Sequence, residues 1–240
     1  MVFSWFGMRK RRVVAPTLKP RQEKVEREDK VDLKDMTPDV VPFLAQVAYF
    51  ELAVFESLTR AVTDAPTLAA KEGLSAAAGE VLAKHHGLVA ELRKKKVDPA
   101  EAMEPFAPAI DKFEQLTGGR DWYEMLLGVY LTAGFLDDFF VRLVPGLPKA
   151  LAGRVEILLE TDRSAEVIVV LLKEGIEADP NLASRLAVWG RRLVGDTQLV
   201  ARSALHMSGN RDDDEQRIEP VFTDLIAAHS RRMDELGLTA

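Results

Sequence analysis

The sequence predicts an all-α protein built on a four-helix bundle, and three observations support this fold class. Apolar residues recur at alternating spacings of three and four along most of the chain after residue 37, as on the buried face of a helix. Strand–helix alternation, glycine-rich phosphate loops and internal repeats are not found. The 240 residues, 47% of them apolar and 29% charged, are enough for one domain with a sizeable core.

Composition and charge exclude several classes of chemistry. The chain has no cysteine, which removes disulfides, thiolate metal ligands and cysteine nucleophiles, and it has only four histidines. The formal net charge of −6 is uneven, because the first 30 residues carry nine Lys and Arg against four Asp and Glu. The acidic remainder disfavours broad contact with a nucleic-acid backbone, whereas the basic head leaves a local contact open.

Residues 1–36 are predicted to be a basic, aromatic tail followed by a charged linker. Aromatic side chains precede four consecutive cations, which is the reverse of a secretory signal. We expect no transmembrane segment, since no run reaches about 18–20 uninterrupted apolar residues. The tail is interpreted either as flexible or as an arm that contacts a membrane surface or RNA. The residues of that candidate arm are Trp5, Arg9, Lys10, Arg11 and Arg12.

The folded domain is predicted to span residues 37–240 and to begin with two long helices. Thr37-Pro38 offers an N-cap and a proline at the first helical position. The apolar stripe of the first helix has Glu51 at its middle, and that of the second helix, over residues 74–92, has His85 at its middle.

The second half of the bundle is predicted to follow a proline-interrupted helical crossover at about 98–116. A third bundle helix opens at Asp121 and carries Asp137 near its core side, and a fourth has Asp162 at its middle. The bundle thus ends near residue 177. Two further helices are expected at about 180–207 and 217–236, joined by a polar connection over residues 209–215.

Polar residues near the middle of apolar stripes are the candidate functional site. Leaving a carboxylate unpaired among apolar side chains is costly, so Glu51, His85, Asp137 and Asp162 should pair with one another, a metal or trapped water. One interpretation is a metal-free polar core in which Arg163 or the nearby Arg154 supplies the counter-charge. The other is an iron or manganese site, because one histidine and three carboxylates suit either metal.

Four segments carry a resemblance to a known family. They are Ala48-Tyr49-Phe50-Glu51-Leu52, Lys84-His85-His86, the stretch Ala133-Gly134-Phe135-Leu136-Asp137-Asp138-Phe139-Phe140, and the stretch Leu186-Ala187-Val188-Trp189-Gly190-Arg191-Arg192-Leu193-Val194-Gly195. Across roughly residues 37–207 the chain resembles ferritin-like proteins related to the di-iron tRNA hydroxylases of the MiaE type. The resemblance implies a ferritin-like four-helix bundle, an iron site, and molecular oxygen and a tRNA nucleoside as substrates.

The chain departs from that family at the metal ligands. The family's Glu-x-x-His motif would need a glutamate three residues before His85, where the chain has Leu82, and residues 148–179 contain no histidine. We therefore expect a degenerate di-iron motif, no cofactor, and a non-catalytic binding or scaffold role. The alternative is an iron- or manganese-dependent hydroxylase or oxidase that acts on a modified tRNA nucleoside or a small substrate.

The remaining expectations concern partners. Arg185, Arg191 and Arg192 are candidates for phosphate contacts or for ion pairs within the domain. A protein partner or a homo-oligomer is expected, tRNA is a candidate partner by resemblance, and the N-terminus is a candidate for weak membrane-surface contact. The expected location is cytoplasmic, and a peripheral position at the inner membrane surface is left open as the alternative.

Overall fold

The computed structural model describes residues 33–160 and 164–239, which form α-helices and short 3-10 turns and include no strand. The predicted all-α fold class is confirmed. Its helices are α1 (Val40–Thr63), α2 (Leu68–Lys94), α3 (Pro99–Met103), α4 (Ala107–Thr117), α5 (Trp122–Leu143), α6 (Lys149–Glu160), α7 (Ser164–Ala178), α8 (Pro180–Ser203) and α9 (Arg211–Glu235). The candidate N-terminal arm and the candidate residues Asp162 and Arg163 lie outside the described residues.

The bundle core is formed where α1, α2, α5 and α7 pack together, with α8 and α9 against α5. Aromatic side chains of α1 and α5 fill its centre, and Phe43, Phe50, Phe135 and Phe139 are almost completely buried. Phe43 meets Phe140 edge to face, with ring centroids 6.1 Å apart. Helix α5 is thus the central helix, in contact with both the bundle and the two C-terminal helices.

Among the described residues, α1 is the one helix that is long and apolar enough to cross a membrane by length and composition. Its length and its hydropathy of 1.3 would by themselves allow it to cross a membrane. In the structure, 61% of its apolar window is buried against the other helices. The core helix of a soluble protein meets the same criteria of length and composition.

The first helix begins two residues later than predicted. The Thr37 hydroxyl donates to the carbonyl oxygen of Leu143 at 2.8 Å instead of capping α1, so α1 begins at Val40 after Asp39. Residues 33–36, assigned to the linker from sequence, include the buried side chains of Leu33 and Met36. These contacts tie the entry of the domain to the end of α5.

The crossover between α2 and α5 is irregular, as its prolines predicted. Two short helices, α3 and α4, are separated by a 3-10 turn that contains Pro105. The crossover ends at Gly119, whose φ of +71° is in the left-handed region, and a Cβ there would lie 2.6 Å from the Cβ of Glu124. Only glycine satisfies both conditions, so the approach to α5 is fixed at this position.

The last helix begins earlier than predicted. Residues 211–215, expected in a polar connection, form the first turns of α9. Three aspartates lie in that first turn, where the helix dipole favours negative charge. One of them, Asp214, is buried and accepts hydrogen bonds from the backbone N–H and the hydroxyl of Ser208. The acidic run is therefore a helix start and not a loop.

Candidate functional site

A buried lysine lies between the predicted acidic residues. The Nζ atom of Lys84 on α2 is 3.2 Å from Oε1 of Glu51 on α1 and 3.0 Å from Oδ2 of Asp137 on α5. The Lys84 side chain is 1% exposed, that of Glu51 2%, and that of Asp137 20%. Three bundle helices therefore meet at one ammonium and two carboxylates, which we name the Lys84 centre.

The protonation of the Lys84 centre follows from its charges. Burial raises the pKa of Glu51 well above its ordinary value, and the neighbouring negative charge of Asp137 raises it further. The Lys84 ammonium opposes this shift in pKa without cancelling it. With Glu51 protonated and hydrogen-bonded to Asp137, the three side chains together carry no net charge.

The predicted histidine, His85, is hydrogen-bonded to the backbone of α1. His85 is buried, and its Nδ1–H donates to the carbonyl oxygen of Ala48 at 2.7 Å. Burial lowers the pKa of His85, so the ring is neutral, with Nε2 as its acceptor. In residues 33–160 and 164–239, no three His, Asp or Glu side chains lie close enough together to hold a metal ion.

The donor set of the Lys84 centre does not fit a di-iron site. Its two carboxylates already share one buried ammonium, which supplies the positive charge that a metal ion would bring. Arg154, the other arginine considered as a counter-charge, makes a bidentate pair with Glu91 at 2.8 and 2.9 Å. The charge that neutralises Asp137 and opposes the pKa shift of Glu51 comes from Lys84.

Sequence reasoning missed Lys84, although the spacing contains a signal for it. Lys84 is three residues after Val81 and four before Leu88, so it lies on the buried stripe beside His85. A lysine is normally read as a surface residue because burial of an ammonium is costly. Partners on two other helices make the burial possible, and the sequence of α2 does not reveal them.

A cavity of about 170 Å³ adjoins the Lys84 centre at Asp137. Arg232 of α9 lines it, passing over Gly134 so closely that a Cβ there would lie 2.5 Å from Nε. Its Nη2 donates to Asp138 at 2.8 Å, and Tyr130 donates to Glu235 at 2.9 Å. The cavity lies among α5, α6, α7 and α9 and is large enough to admit water to Asp137.

A second buried carboxylate lies at the start of α5. Glu124 is 0% exposed and accepts hydrogen bonds from the backbone N–H of Arg120 and from Nη1 of Arg185, both at 3.0 Å. Burial alone would raise the pKa of Glu124, but these donors outweigh burial and hold its pKa below the ordinary value. Asp121 caps α5 by accepting from the N–H of Glu124 at 2.9 Å. Asp121-x-x-Glu124 resembles a capping box, which was the available sequence signal.

The three arginines predicted for phosphate contacts or ion pairs have three different environments. Arg185 pairs with Asp121 and with Glu124. Arg191 donates to the carbonyl oxygen of Thr239 at 2.6 Å, and the guanidinium of Arg192 lies 5.6 Å from the ring centre of Trp189. Arg185 thus makes its ion pairs within the domain, with two acids of α5 and its N-cap.

Gly190, between Trp189 and Arg191, lies in the fourth of the segments quoted above and determines how closely that segment packs on α9. A Cβ at Gly190 would lie 2.3 Å from the sulfur of Met233, so α8 and α9 can approach closely there. The carbonyl oxygen of Gly190 accepts from Nε2 of the buried His229 at 3.1 Å, and Trp189 donates to the carbonyl oxygen of Glu124 at 3.1 Å. The segment therefore joins α8 to both α5 and α9.

Comparison with known proteins agrees with this architecture. No curated protein matches the chain closely enough to serve as a relative. Residues 35–211, about three quarters of the chain, match the family described as ferritin-like domain, actinomycetes. This range contains the helices that form the Lys84 centre and the whole of α8. The chain therefore belongs to the family of ferritin-like domains of actinomycetes.

Proposed function

We propose that this protein is a ferritin-like bundle with a lost di-iron centre that serves as a non-catalytic binding or scaffold protein. The observation that carries the proposal is the position of the Lys84 ammonium, 3.0–3.2 Å from two carboxylates. We further propose that the chain descends from the tRNA-hydroxylase-like group, on the basis of the four segments quoted above.

The argument rests on charge. In a di-iron bundle, metal ions balance the carboxylates that project into the core. Here a metal would have to displace the buried ammonium of Lys84, which would then lose both of its carboxylate partners in the bundle core. Leu82 also stands where the family's first-motif glutamate would be. Lysine therefore replaces the metal as the structural cation.

The proposed binding role concerns the outer surface and the N-terminal segment. A protein or a second copy of the chain is the proposed partner, in a cytoplasmic location. Trp5 and the cations of residues 9–12 form the proposed contact with an anionic membrane surface or RNA. If the membrane is the target, deletion of residues 1–12 should abolish binding to anionic vesicles at low salt and leave the melting curve unchanged. Equal vesicle binding by both proteins would contradict this part of the proposal.

Metal content tests the central part of the proposal. Protein expressed in medium supplemented with iron and manganese should contain much less than one metal ion per chain by elemental analysis. Melting of wild type and Glu51→Gln, each with chelator and with added metal, provides the second readout. We expect no metal-dependent rise in Tm in either protein. A stable two-metal complex, or a rise in Tm confined to wild type, would contradict the proposal.

The second candidate function is the metal-dependent hydroxylase or oxidase, and the observation in its favour is the orientation of His85. Its Nδ1–H donates to a backbone carbonyl oxygen, as in many metal-binding histidines, and this leaves Nε2 as the potential ligand. A metal-dependent rise in Tm that Glu51→Gln abolishes would favour this function over the first.

A further inference from the structure

We propose that a pocket between α4 and α8 binds a small ligand that combines a flat apolar ring with one anionic group. The pocket has a volume of about 610 Å³. We call this site the arginine pocket, and the residues of its lining that would contact the ligand are Leu116, Arg120, Arg185, Val188, Trp189 and Arg192. None of them belongs to the Lys84 centre, so the proposal goes beyond the function proposed above.

The size and construction of the arginine pocket suit a small molecule. Pockets for small ligands usually measure about 300–1,000 Å³, and this one lies within that range. Gly119 lies at its edge, where its positive φ and its close approach to Glu124 fix the turn into α5. Because α4, this turn and α8 each supply part of the wall, the pocket is formed by packed elements of the fold.

The apolar part of the pocket suits a flat ring. Val188 is 62% exposed and Leu116 is 46% exposed, so both present apolar surface to solvent. Trp189 lies beside them, and its indole N–H is bound to the carbonyl oxygen of Glu124, which fixes the ring. An aromatic ligand would cover this apolar surface and could stack against the indole.

The charged part of the pocket suits an anion. Arg120 and Arg185 share Glu124, and Arg185 also contacts Asp121. Arg192 lies over Trp189 and makes no ion pair with an acid of the described residues. Three guanidinium groups therefore face two carboxylates, which leaves one positive charge in excess. A carboxylate, sulfonate or phosphate on the ligand would balance it through charge-assisted hydrogen bonds.

Two dyes with related rings and different charge can test the proposal. The probes are 8-anilinonaphthalene-1-sulfonate, which is anionic, and N-phenyl-1-naphthylamine, which is its neutral counterpart. We expect the anionic dye to bind wild type at one site per chain and the neutral dye to bind about tenfold more weakly or worse, since one charged hydrogen bond is worth about a factor of ten. Equal affinity for both dyes would overturn the proposal, because an apolar patch alone would explain it.

A pair of adjacent arginines provides the matched control. Arg192→Gln should weaken binding of the anionic dye about tenfold, whereas Arg191→Gln should leave it unchanged, because Arg191 binds the Thr239 carbonyl and does not line the pocket. Both arginines are exposed, so both variants should fold with the melting curve of wild type. Equal effects of the two substitutions, or no effect of Arg192→Gln, would overturn the proposal.

Competition identifies the preferred anion. 1-Naphthyl phosphate and 1-naphthoate share one ring system and differ in the charged group. Displacement of the bound dye by one compound more than the other would support the proposal and name phosphate or carboxylate as the preferred group. If neither compound displaces the dye, the proposal is contradicted.

Discussion

Glu51 and Glu124 are both glutamates with almost no exposed surface, and the structure shifts their pKa values in opposite directions. Burial and the negative charge of Asp137 raise the pKa of Glu51, and the single ammonium that the two carboxylates share does not cancel the rise. Glu124 accepts from a backbone N–H and from two guanidinium groups, so its pKa is lowered. The charge of a buried glutamate in this fold therefore depends on whether the donors around it outweigh burial, as they do at Glu124 and do not at Glu51.

The largest expected effect is the loss of the cation of the Lys84 centre. Lys84→Met leaves the buried Glu51 and the half-buried Asp137 without their shared ammonium, and we expect the free energy of unfolding to fall by about 3–5 kcal/mol at pH 7. Urea denaturation measures it. Lys71→Met, at an exposed position of α2, is the control and should change stability by less than about 0.5 kcal/mol. Similar small effects of both substitutions would mean that Lys84 is not the required counter-charge.

The second effect concerns Glu124. Glu124→Gln removes charged hydrogen bonds and leaves Arg120 and Arg185 with less negative charge, so we expect a loss of about 1.5–3 kcal/mol at pH 7. Urea denaturation of Glu72→Gln, at an exposed position of α2, provides the comparison and should resemble wild type. A Glu124→Gln protein as stable as wild type would show that the donors around this carboxylate do not favour its charged form.

A third carboxylate, Glu91, extends the comparison with a smaller effect. The bidentate hydrogen bonds from Arg154 outweigh burial and lower the pKa of Glu91 to about 2. The stabilisation is therefore present above the unfolded pKa of about 4.5 and is lost as pH falls from there towards 2. Arg154→Gln should destabilise the protein at pH 7, less than Glu124→Gln does, and the deficit should shrink below pH 4.5. A deficit that stays constant down to pH 3 would argue against an ion pair as its cause.

Sequence patterns predicted which residues are buried better than they predicted what those residues contact. The spacing of apolar residues placed Glu51 and His85 inside the bundle correctly, because helical periodicity depends on one segment alone. It did not show that His85 would bind the Ala48 carbonyl or that Lys84 would lie between two acids, since those contacts cross between helices. The late start of α1 has the same origin, because the Thr37 hydroxyl binds a carbonyl of α5 that is distant in sequence.

The smallest effect is expected for Glu51→Gln near pH 4.5. The protonated glutamic acid and glutamine have similar shapes and hydrogen-bonding groups, so the two proteins should differ by less than about 1 kcal/mol there. At higher pH the unfolded wild-type chain loses the proton of Glu51 while the folded chain keeps it. The stability contributed by the raised pKa is thus complete below about pH 4.5 and is lost as pH rises towards the folded-state pKa.

The most direct test of the account is the free energy of unfolding of wild type and Glu51→Gln, measured by urea denaturation from pH 4.5 to pH 8 in chelator. We predict that the variant becomes progressively more stable than wild type as pH rises, by at most about 1.4 kcal/mol per pH unit. Glu124→Gln, measured in parallel, should keep a constant deficit between pH 5 and pH 8 because Glu124 is ionised in both states. A difference between wild type and Glu51→Gln that does not change with pH, or that favours wild type as pH rises, would contradict a protonated Glu51 beside Lys84.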